Sequence, residues 1–186
     1  MFPLRTLVPA RLPPAPTVRG TVLQFDASPW GLGGVLVRTA AGQPPQFFAD
    51  AVQPEDEVRL QLSVGSSAGQ VKLETLAIVL GMRLWASLLC ECGAVVRVAS
   101  DSVAALSAMH KMASPVPVMN GPGAELALIL EESGSVQLAF DHIPGKLNSL
   151  ADWCSRVHRN ATKLGIRASR HPSIHSSGPR GRRQRR

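Results

Sequence analysis

Three strand-like runs crowd into residues 21–52, and every strand-like run after them is set apart by helical sequence. This change of hydrophobic period, from two to about 3.6, constrains the fold more than any other feature of the chain. In Thr21–Ala27 (TVLQFDA), Val22, Gln24 and Asp26 share one face and Leu23 and Phe25 the other. The glycine-rich stretch Pro29–Gly34 turns the chain into a second strand, Gly33–Thr39. AAGQPP makes the next turn, and Gln46–Val52 is the third strand. Strands this close in sequence form an antiparallel meander.

Segment 53–69 is open between a short helix and a strand, with GSSAG as a loop. From Gln70 to about Cys90, Leu73, Leu76, Ala77, Leu80, Leu84 and Leu88 recur at helical spacing, and Gly93 fits just past the end. Ala94–Ser100 is a β-branched, buried strand. Asp101–Met112 is a helix that Pro115 and Pro117 end, and 121–132 is another. Ser135–Asp141 is the fifth strand. Pro144 and Gly145 turn the chain into a last helix, Asn148–His158, capped by Asn148 or Ser149. The order βββ-α-β-α-α-β-α predicts an α/β domain: a five-stranded mixed sheet, three strands antiparallel and two added parallel, flanked by helices.

A chain of 186 residues with 45% hydrophobic and 18% charged residues can bury one core of ordinary size. It has no tyrosine, which excludes tyrosine-nucleophile chemistry. Cys90, Cys92 and Cys154 are odd in number and lack metal-ligand spacing, so they read as free thiols of a reducing, intracellular setting, with nucleus and cytoplasm both open. The first residues lack the apolar core of a signal peptide. Val71–Cys90 contains Lys72, Glu74 and Arg83 and reads as a half-buried helix; no membrane association is expected. The expected organisation is a Pro-rich linker at 1–19, a domain at 20–158 and a basic, disordered tail at 159–186. Nine of the twenty Lys and Arg lie in that tail, so the net charge of +7 belongs to it and the body is mildly acidic.

Four acids stand where chemistry, rather than solubility, would put them. Asp26 lies near the end of an apolar strand and needs a partner there. Asp101 directly follows the fourth strand, and parallel pairing would bring it to the same sheet edge as Asp26. Glu74 is one turn into the long helix, and Asp152 sits inside the last one. Each except Asp26 has a plain alternative: Asp101 as a helix cap, Glu74 as a solvated residue, Asp152 as the ion-pair partner of Arg156. Gathered at one point, carboxylates repel unless divalent cations neutralise them, and an oxygen-only set selects Mg²⁺ or Mn²⁺.

The run Phe25-Asp26-Ala27-Ser28-Pro29-Trp30-Gly31-Leu32-Gly33-Gly34-Val35-Leu36 resembles the opening of a retroelement ribonuclease H domain. Lys72-Leu73-Glu74-Thr75-Leu76-Ala77 resembles the helix that carries its glutamate, and Ala99-Ser100-Asp101-Ser102 its third motif. His142-Ile143-Pro144-Gly145-Lys146-Leu147-Asn148-Ser149-Leu150-Ala151-Asp152-Trp153-Cys154-Ser155-Arg156 resembles the last, in the form found in gypsy- and DIRS-type polyproteins. Ser67-Ala68-Gly69-Gln70 leans towards the DIRS type.

The resemblance implies an RNase H-like fold and two-metal-ion hydrolysis of the RNA strand of RNA–DNA hybrids. Two Mg²⁺ ions, with Mn²⁺ as a substitute, would bind Asp26, Glu74, Asp101 and Asp152. Asp26 would bridge both ions. Asp152 would complete the ion that activates water, and Glu74 and Asp101 would hold the ion at the leaving oxygen. His142 would lie on a mobile loop and assist proton movement or product release; its alternative is an exposed loop histidine. Gln70, Lys72 and Asn148 match positions that can face the hybrid, with solvated helix residues or a helix cap as alternatives. An upstream reverse transcriptase would be the partner. The chain departs from cellular relatives in lacking a basic insertion after the second helix. A catalytically inactive, nucleic-acid-binding or structural module of the same fold is the competing reading. The tail arginines Arg180, Arg182, Arg183, Arg185 and Arg186 could contact phosphates or serve nuclear import.

Overall fold

The computed structural model describes residues 20–38, 44–90, 95–134 and 136–159. The Pro-rich segment 1–19, residues 39–43 at the expected turn, Cys92, Gly93, Ser135 and all of the basic tail beyond Arg159 lie outside them.

Three strands, β1 (Thr21–Ser28), β2 (Gly31–Arg38) and β3 (Gln46–Ala51), open the domain as the predicted meander. The first hairpin is tighter than the glycine-rich sequence suggests: Ser28 pairs with Gly31, so only Pro29 and Trp30 form the loop. Segment 53–69 holds a short helix and no strand. Helix α1 (Pro54–Leu60) starts where the Asp56 carboxylate accepts from the Gln53 N–H, and it ends where Gln61 turns left-handed at φ 49. A 3-10 turn, Ser67–Gly69, leads into α2 (Gln70–Cys90). Then follow β4 (Val95–Ser100), α3 (Val103–Lys111), α4 (Asn120–Glu132), β5 (Gln137–His142), a 3-10 turn at Gly145–Leu147 and α5 (Ser149–Arg156).

The sheet order is β3-β2-β1-β4-β5. β1 pairs antiparallel with β2 and parallel with β4, and β4 pairs parallel with β5. The predicted mixed sheet is therefore the one observed. Leu23 and Phe25 of β1 join Val96 and Val98 of β4 and a row from α2 that includes Ile78 and Met82 in one core. Burying such side chains contributes roughly 1.5–3 kcal/mol each. The opposite face, the Asp26 face, is covered by α5.

Glycine sets how closely these layers approach. A Cβ on Gly33 would stand 2.4 Å from the Ala151 carbonyl oxygen and 2.6 Å from the Ser155 nitrogen. Helix α5 therefore lies directly on the backbone of β2, beside Asp26, whose register partner is Gly33. On the other face, a Cβ on Gly81 would strike the Phe25 ring, so α2 seats equally close there.

Among the described residues, no helix is long and apolar enough to cross a membrane.

Candidate metal centre

The parallel pairing of β1 with β4 carries both strands to one sheet edge. Asp26 projects there from β1, Asp101 follows the last residue of β4, and the first turn of α2 delivers Glu74. One carboxylate oxygen from each of the three lies within 4.8 Å of the others. Asp26 is 5% exposed and Glu74 4%, while Asp101 is open to solvent.

The two buried acids are held by named donors. Ser155 Oγ donates to Asp26 Oδ2 at 2.6 Å. Gln70 Nε2 donates to Glu74 Oε1 at 3.0 Å and also to the Ala27 carbonyl, tying the start of α2 to β1. Glu74 Oε2 is buried without a hydrogen-bond partner. A buried carboxylate oxygen without a partner, on an acid that meets two others, is costly unless a cation completes it. The residues fit a divalent ion, and the all-oxygen donor set favours a hard one.

The electrostatics express the same crowding. Burial raises Asp26 to about 6; the Ser155 bond opposes this, and the charges of Asp152 and Asp101 add to it. Burial raises Glu74 further, to about 8, with Asp26 as the next cause and the Gln70 bond opposing. At neutral pH Glu74 therefore favours its protonated form without a cation while Asp26 remains mostly ionised, a separation of the kind acids in functional sites commonly show.

Asp101 is not a helix cap. Ser102 holds that position on α3, its Oγ accepting from the Ala105 N–H, which leaves the Asp101 carboxylate free for the cluster. The Pro-Gly turn meets it: a Cβ on Gly145 would lie 2.9 Å from Asp101 Oδ2. Asp152 stands outside the three-acid group, and its Oδ1 accepts from Arg156 Nε at 2.7 Å and Nη2 at 2.6 Å. It is near enough for its charge to raise Asp26.

Four expectations change. His142 is not on a loop: it ends β5 opposite Ser100, because the parallel ladder runs on to the Ile143 N–H, which donates to the Ser100 carbonyl. Its side chain is exposed at the edge that bears Asp101. Lys72 does not face outward for a ligand; its ammonium donates to the Leu60 and Gln61 carbonyls and closes the end of α1. Asn148 occupies the start of α5 without capping it. It is 0% exposed, and its Nδ2 donates to the Phe25 carbonyl at 2.8 Å, which leaves it no surface for a substrate. Gln70 is spent on Glu74 and β1, as above.

Sequence reasoning missed Ser155 and Ser28. Ser28 Oγ donates to the Ser155 carbonyl at 2.6 Å and accepts from the Gly31 N–H at 3.2 Å, joining α5 to the first hairpin. The available signal was the Asp-x-x-Ser spacing at Asp152–Ser155, quoted with the last motif but given no role.

Among solved structures, the RNase H1 of the halophilic archaeon Halobacterium salinarum superposes with a TM-score of 0.53 at 14% identity, covering 76% of this chain and 98% of its own. The N-terminal RNase H domain of Rv2228c from Mycobacterium tuberculosis gives 0.54 at 14% identity, covering 73% and 95%. LC11-RNase H1 in complex with an RNA/DNA hybrid gives 0.52 at 16%, covering 72% and 92%. The fold is that of ribonuclease H. No family model and no curated protein matches the sequence. The RNase H fold thus rests on shape, at identities where shape alone is shared. Within it, Asp26, Glu74 and Asp101 occupy the carboxyl-end edge of the sheet, the usual place for sites in α/β proteins.

Proposed function

We propose that this chain is a divalent-cation-dependent ribonuclease H. It hydrolyses the RNA strand of RNA–DNA hybrids endonucleolytically, inside cells, as part of a retroelement's replication machinery that includes a reverse transcriptase. The observation that carries the reading is the meeting of Asp26, Glu74 and Asp101 on an RNase H fold. A neighbour of the same fold holds an RNA/DNA hybrid, which supports the substrate class.

Mg²⁺ is the expected ion, with Mn²⁺ as a substitute. Bound there, such ions supply charge neutralisation, an activated water and stabilisation of the leaving oxygen. The protein's part is to aim oxygens. Asp26 and Glu74 present theirs from buried, hydrogen-bonded positions. Asp101 presents its own from the solvent side, where a duplex approaches. Asp152, close enough for its charge to raise Asp26, would join them as a ligand if a cation took the place of Arg156. His142, exposed at the end of β5, accepts or returns a proton. Selectivity for the hybrid comes from the 2′-hydroxyl and from duplex shape rather than base sequence.

A labelled RNA–DNA hybrid with Mg²⁺ tests this. Wild type should leave 5′-phosphate and 3′-hydroxyl ends, and Asp26→Asn and Asp101→Asn should lose cleavage. Equal cleavage by all three would remove the site assignment. The Asp152–Arg156 pair favours one second reading, a module of this fold that binds nucleic acid without cutting it. Hybrid binding without cleavage in either Mg²⁺ or Mn²⁺ would select that reading.

A further inference from the structure

We infer that Ser155 is a positioning residue for the cation site: its hydroxyl fixes the Asp26 carboxylate in the orientation that presents Oδ1 to a divalent ion. The inference rests on the reading of Asp26 as a cation ligand and assigns a new role within that site.

Ser155 is fully buried on the face of α5 that meets the sheet. Its hydroxyl has one proton and two acceptors in range, Asp26 Oδ2 at 2.6 Å and the Asp152 carbonyl at 2.9 Å. The shorter, charge-assisted bond to the carboxylate is the stronger of the two. The carbonyl contact, to the preceding turn of the same helix, supports the rotamer.

The hydroxyl can aim only if its helix cannot shift, and α5 is pinned on three sides. Asn148 Nδ2 holds its start to the Phe25 carbonyl at 2.8 Å. Ser28 Oγ holds the Ser155 carbonyl itself at 2.6 Å. Gly33 lets the Ser155 backbone sit where any side chain on β2 would exclude it. Each pin starts from β1 or β2, so Ser155 is fixed relative to the strand that bears Asp26. Glu74 has a parallel arrangement: Gln70 takes Oε1 and leaves Oε2 without a partner. In each buried acid one oxygen is tied to protein, Asp26 Oδ2 by Ser155 and Glu74 Oε1 by Gln70. Supporting donors of this kind typically change metal affinity by about 10–100-fold when removed.

The test is calorimetric titration of Mn²⁺ into the full chain, with thermal unfolding in EDTA measured beside it. Wild type should bind Mn²⁺, and Ser155→Ala should weaken its Kd about tenfold or more. Cys154→Ala, on the same buried face, should lower Tm and leave the Kd unchanged. Ser155→Cys keeps the side-chain shape with a slightly larger atom but donates weakly; it secures the test against misfolding of the alanine variant and should also weaken binding. Ser155 variants that lose Tm but bind Mn²⁺ like wild type would overturn the positioning role and reduce Ser155 to packing. A wild-type chain that binds no Mn²⁺ would overturn the metal-centre reading, and this inference with it.

Discussion

Gly145 lies against the carboxylate of Asp101: a Cβ built on its Cα would stand 2.9 Å from Oδ2. The Pro-Gly turn before α5 therefore sets where the most exposed of the three acids points. Gly145→Ala should move that flexible carboxylate rather than disturb the fold. Unfolding free energy should change by less than about 0.5 kcal/mol, as at other surface positions. Hybrid cleavage at limiting Mg²⁺ should fall several-fold and recover in part at saturating Mg²⁺. A metal titration of initial rates checks this, and an unchanged profile would show that the turn does not steer Asp101.

Gly33→Ala should act in the opposite way. Its neighbours at 2.4 and 2.6 Å are backbone atoms of α5, which cannot rotate aside. The helix must lift from the sheet, at a cost of about 3 kcal/mol. Urea unfolding should show the loss with the metal removed, which separates it from any effect on cation binding.

Stability should depend on pH in a sense unusual for acidic groups. Glu74 has its folded-state value raised from 4.5 to about 8, and Asp26 has its own raised from 3.8 to about 6. Between 4.5 and about 8 the folded chain keeps a proton on Glu74 that the unfolded chain has released. Fewer protons bound on unfolding means that stability falls as pH rises through this window, by an amount on the order of several kcal/mol. Asp26 adds to the decline between 3.8 and about 6. Mg²⁺ should reverse the trend by favouring the ionised acids, with proton release on binding. Melting curves across pH with EDTA and with Mg²⁺ provide the check. A Tm in EDTA that climbs with pH through that window would contradict it.

Asn148→Asp should be a stability mutation. The buried amide donates to the Phe25 carbonyl, and a carboxylate cannot. The lost donor costs about 1–3 kcal/mol, and a buried charge costs more, so Asp should be worse than Ala at this position. The variant that remains folded should keep the wild-type KM for hybrid. A raised KM would restore a substrate contact for Asn148.

How much of this was legible beforehand varies with the range of the interaction. Patterns along the chain gave the meander and the two parallel strands, because alternation at Val22–Asp26 and helical spacing from Leu73 onward are local signals. Asp26 was legible as an acid on an apolar strand. What depended on side-chain reach was not. Lys72 and Gln70 sit on the predicted helix, yet their partners are Leu60 O, Gln61 O and Ala27 O, brought near only by folding. The resemblance places His142 on a loop, just past a strand expected to end at Asp141, whereas the ladder continues to Ile143. Ser155 was hidden most deeply, since nothing in its neighbourhood names Asp26 as its partner.

That partnership spans 129 residues, and the two other hydrogen bonds that seat α5 span 127 and 123. Chains are made from the amino end, and contacts so distant in sequence are the last to become possible. A copy still leaving the ribosome has all three clustered acids before it has the strut that steadies the first of them. For an enzyme of the kind proposed, whose substrate is nucleic acid, Asp26 then lacks its Ser155 donor until α5 has emerged. Unfinished chains carry the three acids without the donor proposed to set the aim of Asp26.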